Sequence, residues 1–352
     1  MELSDLGFDQ FFQAHVSDLR QEGRSIARIS AVDRGSYLIR NQTGEIPAEL
    51  AGKFYLQVES SVDLPCVGDW VTVQYHNNDT AAIIHEVFPR KTFLRRKSAG
   101  EKLDFQMIAA NIDAAFIVQS CHFDFNVRRM DRYLVMAADG GVEPIVVLTK
   151  TDLITPEELE QKVAAIGSST ISARVLALSN ITGIGFDEFQ QVLVSGRTYC
   201  LLGSSGVGKT TLINRLIGQD AFDTKAVSGT GEGIHTTARR QLVVLDQGSM
   251  LIDTPGMREL GLIGVSDGVN QGFEDIFRLS LNCRYPNCGH TQEPGCAVLA
   301  AVASSELGKD RYSSYMKLRK ESEYHELSYL DKRKKDRAFG RFIKSSKKQM
   351  KV

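Results

Sequence analysis

The sequence predicts a multidomain α/β protein: a small β-barrel first, a largely parallel sheet with helices in the middle, and a helical C-terminal segment. Three features predict it. Short β-rich runs separated by turns fill residues 24–90, apolar runs alternate with helical stretches beyond residue 105, and helices dominate from Gly272 around a short Cys/His cluster. The length of 352 residues allows about two to three domains at roughly 150 residues each. Hydrophobic residues at 42% and charged residues at 24% exclude a disordered or fibrous chain. No apolar run approaches the roughly 18 residues of a membrane helix. The acidic start Met1–Asp5 lacks the basic region of a signal peptide, so a cytoplasmic protein is expected.

In the first segment, Arg24–Val32, Ser36–Asn41 and Asp69–His76 are β-rich, and Val71, Val73 and Tyr75 alternate with polar neighbours. Turns fall at Asp33–Gly35, Thr43–Gly44 and His76–Asp79. About five strands in roughly 70 residues suggest a barrel, OB-like or SH3-like, and periodicity does not choose between them. Arg90, Lys91, Arg95, Arg96 and Lys97 form a basic exit, expected with the barrel to contact phosphates.

The middle segment offers apolar runs at Ala114–Val118, Pro144–Leu148, Val175–Leu178, Tyr199–Leu202, Leu242–Leu245 and Met250–Ile252. These suit buried strands of a mostly parallel sheet. One intervening helix starts at Thr155-Pro156-Glu157-Glu158, with Thr155 as N-cap, Pro156 as first helical residue and Glu158 as capping-box partner. Leu159, Val163 and Ile166 recur at helical spacing and predict one buried stripe. Cys66, Cys121 and Cys200 are scattered singly, as reduced buried thiols are.

After the strand Tyr199–Leu202, Gly203-Ser204-Ser205-Gly206-Val207-Gly208-Lys209-Thr210 fits G-x-x-x-x-G-K-[ST], and Thr211–Ile217 reads as a helix. In such a loop backbone N–H groups and the helix start face phosphates, the lysine reaches the β/γ-phosphates, and the hydroxyl ligates Mg²⁺. Thr211 is counted in the same cradle. Asp253-Thr254-Pro255-Gly256 ends the strand Met250–Ile252; Asp253 can hold Mg²⁺ through water and the Gly256 N–H can meet a γ-phosphate. Thr149-Lys150-Thr151-Asp152 ends another strand and resembles the guanine-reading [N/T]-K-x-D motif. A carboxylate at Asp152 can accept from guanine N1–H and N2–H₂, an edge adenine does not offer, while the Lys150 stem covers the base. The plainer reading of Asp152 is an ordinary helix cap.

The order of these motifs is the decisive observation. In ordinary small GTPases the phosphate loop comes first. Here Thr149–Asp152 precedes Gly203–Thr210, and Ser179 and Asn180 lie between them, where a second base-contacting loop falls. The chain is a circular permutation of the GTPase sheet.

With these motifs, and with Val67–Val71, Ala110–Asp113, Asp124–Asn126, Gly233–Thr237 and Glu293–Cys296, nearly the whole chain resembles the circularly permuted GTPases of the RsgA (YjeQ/YloQ) type, which assist assembly of the small ribosomal subunit. The resemblance implies an OB-fold barrel with a leading helix over residues 1–98, a permuted P-loop GTPase domain over 99–270, and a zinc-binding domain with a basic helical tail over 271–352. It implies GTP hydrolysis with Mg²⁺, and binding of the 30S subunit and its 16S rRNA during late maturation by a monomer that meets no membrane. It makes Gly233–Thr237 switch I, with Thr236 or Thr237 on Mg²⁺ and the choice between them open. Met257 stands where Ras-like enzymes carry a water-orienting Gln, and a thioether cannot do that work, so family analogy makes His235 the candidate. Thr149 replaces the commoner Asn, Asn180 an Ala and Ile234 an Arg. Loss of the Asn amide at 149 predicts weaker nucleotide binding.

The C-terminal cluster reads Cys283-x₄-Cys288-x-His290-x₅-Cys296. Three thiolates and an imidazole suit one tetrahedral Zn²⁺ per chain, structural because four protein ligands leave no position for water. From Lys309 to Val352, 15 Lys and Arg face 6 Asp and Glu, which leaves 27 against 37 in the preceding residues. A basic tail on an acidic body suggests an anionic partner such as nucleic acid; the plainer reading is a solvated helical face. Two other functions compete with GTP hydrolysis. An ATP-using kinase has no use for a base-reading Asp152. A non-catalytic or weakly catalytic RNA-binding module with a relict GTPase domain is opposed by intact Lys209, Thr210 and Asp253.

Overall fold

The computed structural model describes residues 1–16, 23–33, 35–56, 58–97, 105–122, 125–167, 173–204, 206–218, 240–253, 273–285 and 288–326. Five strands near the N-terminus close on themselves: β1 (Ser25–Asp33), β2 (Ser36–Arg40), β3 (Glu45–Leu50), β4 (Trp70–His76) and β5 (Ala81–Val87). The order is β1-β2-β3-β5-β4 and back to β1, antiparallel except for β3 beside β5. That order and the one parallel pair make the barrel OB-like. Alternation does the filling: along β3, Ile46, Ala48 and Leu50 point in, to meet Ile29, Ile39, Val71, Val73 and Ile84. A short hairpin of β6 (Phe93–Lys97) and β7 (Phe105–Ala110) follows, and the expected division at residues 98/99 falls outside the described residues, between these paired strands.

The basic exit is largely spent inside the molecule. Arg90 grips both carboxylate oxygens of the fully buried Asp69 at 2.8 Å and donates to the Val62 and Leu64 carbonyls. Arg95 pairs with Asp139 and lies over Phe105, Lys91 pairs with Asp9, and Arg96 bonds Gln106.

The second unit is a sheet in the order β10 (Arg174–Ala177), β9 (Glu143–Thr149), β8 (Ala114–Ser120), β11 (Thr198–Leu202), β13 (Met250–Asp253), β12 (Arg240–Val244). All neighbours are parallel except β12 and β13. Both faces are covered. Ala115 and Ile117 of β8 pack on Met130, Tyr133 and Leu134 of a helix at Val127–Asp139, whereas Phe116 and Val118 meet Phe189, Leu212 and Ile213 on the other side. Going from β8, the chain builds outward to β9 and β10, then returns to β11 on β8's opposite side. The carboxyl ends of β8 and β11 therefore flank a topological switch point, where open α/β sheets bind ligands.

The helix at Pro156–Gly167 has its capping box, with Thr155 N–H donating to Glu158 at 2.9 Å and Glu158 N–H to Thr155 Oγ at 3.3 Å. Its predicted buried stripe needs correction: Ile166 is buried and Leu159 half-buried, but Val163 is exposed. Leu159 and Ile166 reach the core shared with Val175 and Ala177, and Lys162, between them, lies over the Phe125 ring, which leaves Val163 on the outer side. Cys66, Cys121 and Cys200 are free and buried.

One seam joins barrel and sheet. β1 pairs with β12 at Ala31↔Gln241 and Val32↔Arg240, so eleven strands form one continuous ladder. Buried Arg28 pins the same seam, donating to the carbonyls of Leu6, Gly68 and Asn111. Burial lowers its pKa to about 10, against the opposing pull of Asp113 and Asp69, which leaves it charged at neutral pH. Beyond the sheet, helices at Glu274–Ser280, Ala297–Ala303 and Lys309–Glu326 enclose a third core of Phe273, Ile276, Val298 and Leu318, into which Val135 projects from the Val127–Asp139 helix. Residues 327–352, most of the basic tail, lie outside the described residues. Among the described residues, no helix is long and apolar enough to cross a membrane.

Candidate nucleotide and metal sites

β11 delivers the chain into the phosphate-loop motif at the switch point. Gly203 takes φ 149°, and a Cβ there would stand 2.4 Å from the Val118 carbonyl, so only glycine lets the loop leave the strand this close to β8. Gly208, at φ 99°, starts the helix α6 (Lys209–Ile217; the helices before it in chain order are α1 at Gln10–Gln13, α2 at Gly52–Tyr55, α3 at Val127–Asp139, α4 at Pro156–Gly167 and α5 at Phe186–Gln191), whose first turn has no side-chain cap. Uncapped N–H groups at a helix start favour an anion. The Lys209 ammonium is largely buried and donates to the Gly203 and Ser204 carbonyls, each at 2.7 Å. Val207 packs into the core, while Thr210 and Thr211 sit on the first turn. Asp253, buried, ends β13 and pairs in register with Leu201 of β11.

The base-motif residues gather at the same edge. Thr149 ends β9 fully buried, its hydroxyl 2.6 Å from the Val207 carbonyl of the phosphate loop and 3.2 Å from that of Gln119. Lys150 turns the chain at φ 60° into a 3-10 turn, Thr151–Leu153, that leaves Asp152 exposed. The Ser179 hydroxyl donates to Asp152 Oδ1 at 2.5 Å and accepts from the N–H groups of Ile181 and Thr182. Asn180 Nδ2 donates to the Gly208 carbonyl at 3.3 Å. Threonine at position 149 thus tethers β9 to the phosphate loop through its hydroxyl. Ser205, His235, Thr236, Thr237 and Gly256, all expected in this site, lie outside the described residues.

In the C-terminal unit, Cys283, Cys288, His290 and Cys296 present one ligand atom each, all within 4.8 Å of one another. Cys283 Sγ is 3.9 Å from Cys296 Sγ, and His290 Nδ1 is 3.6 Å from Cys283 Sγ and 3.4 Å from Cys296 Sγ. Burial, then the charge of Arg319, lowers the His290 pKa and keeps the ring neutral, the form that ligates a metal. Burial pushes the Cys296 thiol up to about 11, while at Cys283 the effect of burial is outweighed by backbone N–H bonds from Val298 and Ala297. The supporting residues were not read from the sequence. Glu293 accepts N–H bonds from Gly289, Thr291 and Gln292, Tyr312 donates to the His290 carbonyl, and Arg319 reaches Cys288 O. The cluster could hold a metal ion.

An N-terminal OB-like barrel, a parallel sheet with its base motif before its phosphate loop, and a Cys₃His cluster define the class of circularly permuted GTPases. A family model described as RsgA GTPase matches residues 87–263. The chain is 42% identical over 328 residues, 92% of both chains, to the small ribosomal subunit biogenesis GTPase RsgA 2 of Lactiplantibacillus plantarum. Its structure resembles that of YjeQ from Thermotoga maritima, with TM-score 0.61 and 25% identity over 84% of this chain and 97% of that one. It also shares the fold of YloQ, described as a circularly permuted GTPase, at TM-score 0.59 and 24% identity over 88% and 100% of the two chains. The chain belongs to the RsgA GTPase family, and it is a GTPase.

Proposed function

We propose that the protein hydrolyses GTP while bound to the 30S ribosomal subunit, assisting its late maturation from the cytoplasm, as a monomer that touches 16S rRNA. The reading is supported by the names of its relatives and, above all, by one local observation: base motif and phosphate loop, 50-odd positions apart in reversed order, meet through the Thr149–Val207 hydrogen bond. Guanine N1–H and N2–H₂ donate to Asp152, which Ser179 steadies, and the Lys150 stem covers the base. Gly203–Gly208 and the start of α6 cradle the phosphates, and Lys209 transfers its hydrogen bonds from carbonyls to phosphate oxygens. Thr210, Asp253 and either Thr236 or Thr237 would hold Mg²⁺, which would neutralise charge on the phosphates. Gly256 N–H meets the γ-phosphate, and His235 orients the water in the absence of a Gln at position 257.

The three domains span residues 1–98, 99–270 and 271–352. The Cys₃His cluster holds one structural Zn²⁺. Zn–S bonds near 2.3 Å and Zn–N bonds near 2.0–2.1 Å in a tetrahedron require S···S edges of about 3.8 Å and S···N edges of about 3.6 Å. The observed 3.9, 3.6 and 3.4 Å among Cys283, His290 and Cys296 match those edges, and with Cys288 the four atoms, within 4.8 Å of one another, would draw in slightly around the ion.

The test is hydrolysis of GTP and ATP with and without 30S subunits. GTP alone should turn over, slowly by itself and roughly a hundredfold faster with 30S, the scale of one positioned orienting group. Lys209→Ala should abolish both rates; His235→Ala should keep GTP binding and lose mainly the stimulation. Equal use of ATP would overturn the reading, and full stimulation of His235→Ala would remove His235 from it.

A further inference from the structure

Arg215 lies on α6, the helix that begins with Lys209, and it reaches across to the second base loop. Its Nη1 donates to the carbonyl of Asn180 at 2.9 Å and lies 3.4 Å from that of Ser179. Its guanidinium carbon stands 4.3 Å from the centroid of the Phe186 ring. A Cβ on Gly183 would come within 2.6 Å of Nη2, so the guanidinium also fills the space that glycine leaves.

The loop it holds has little else to hold it. Ile181 is 82% exposed and Ile184 72%, so no apolar side chain anchors the loop before Phe186. Its fixed points are polar: Ser179 O accepts from Gly183 N, Ser179 N donates to Ile184 O, and Asn180 bonds Gly208. Resting on the guanine-reading role of Asp152, we infer that Arg215 is a positioning residue for base specificity. It fixes the Ser179 backbone, Ser179 Oγ orients the Asp152 carboxylate, and the carboxylate reads the base. A planar fork can meet two carbonyls and stack on a ring at once; a lysine ammonium, a compact point charge, cannot do all three.

The test compares GDP with IDP, whose base lacks the exocyclic N2 amine and so forfeits one of the two bonds to Asp152. Dissociation constants are measured on the full-length protein for wild type, Arg215→Ala, Arg215→Lys and Asp152→Asn, with thermal melting of each. Arg215→Ala should weaken GDP by roughly threefold to tenfold, the scale of an exposed charge-assisted hydrogen bond. IDP should weaken less, so the GDP/IDP preference falls, and Arg215→Lys should restore it only partly. A GDP/IDP ratio unchanged in Arg215→Ala, whether both affinities hold or both fall together, overturns the inference. Failure of the underlying reading looks different: wild type would bind IDP as well as GDP, or Asp152→Asn would keep full GDP affinity.

Discussion

The hydroxyl of Thr149 stands 2.6 Å from the carbonyl of Val207, so the strand end that carries the base motif is fastened directly to the phosphate loop. Both residues are buried, and the contact closes most of the distance between two motifs that the permuted chain order separates. Thr149→Val keeps the shape and removes the donor. It should cost about 1 kcal/mol of stability, the net worth of one such hydrogen bond, and weaken GDP binding as well. Thr149→Ser should restore both. Denaturant melts and nucleotide titration of the two variants measure this; a valine variant as stable and as tight as wild type would mean that the tether is idle.

Asp152 is exposed and accepts from Ser179 on Oδ1, which leaves Oδ2 and the remaining lone pair of Oδ1 for the two donors of a guanine edge. Asp152→Asn should lose GTP and gain xanthosine triphosphate, since the amide donates where the carboxylate accepted. Two charge-assisted bonds, on the order of 3 kcal/mol, are at stake. Unaltered GTP affinity in the variant would remove Asp152 from base recognition.

Arg90 was expected from the sequence to face an anion, but it is bound to Asp69, whose side chain is wholly buried. Removing one partner of a buried pair leaves the other charged and desolvated. Arg90→Ala should therefore destabilise the barrel by about 3–5 kcal/mol. A normal melting temperature, with RNA or subunit affinity reduced instead, would return Arg90 to the surface role.

Salt dependence should come mainly from elsewhere. With Arg90, Lys91 and Arg95 paired internally, deletion of residues 330–352 should flatten the dependence of 30S affinity on salt concentration. Hydrolysis by the free enzyme should be unaffected. An unchanged slope would make the tail a solvated helix with no phosphate contact.

Metal analysis should find about one Zn²⁺ per chain, and chelation or Cys288→Ser should unfold the helices after residue 273 while nucleotide binding persists. The two cores are separate clusters that meet where Val135 enters the C-terminal one, which is why the nucleotide site should survive. Acid should release the metal, because protons compete for the three thiolates. Zinc-free protein purified without chelators would end this assignment.

Local chemistry was legible; distant pairing was not. The phosphate loop and the four cluster residues each occupy one short stretch, and their spacing carries their chemistry. Periodicity alone left the barrel OB-like or SH3-like, and the parallel pair β3–β5 agrees with the OB-fold that the resemblance implied, because alternation fixes which face is buried but not which strand is the neighbour. Arg28 and Arg215 were invisible as functional groups. Arg28 bonds Leu6, Gly68 and Asn111, and Arg215 bonds residues some 35 positions away, so nothing beside either one marks its use. Val163 failed for a related reason: helical spacing shows that a stripe exists, while the tertiary partners decide which of its positions reach the core.

The seam between β1 and β12 makes the barrel and the nucleotide sheet neighbours in one hydrogen-bonded ladder. The ladder continues from β1 through Arg240 and Gln241 of β12 into β13, which ends at Asp253. Arg240 is itself hooked to the Met107 carbonyl, so the ladder is fastened at this junction as well as at Arg28. Whatever grips the barrel therefore grips a strand bonded directly to the nucleotide sheet, with β12 and β13 between it and the phosphate-loop strand β11.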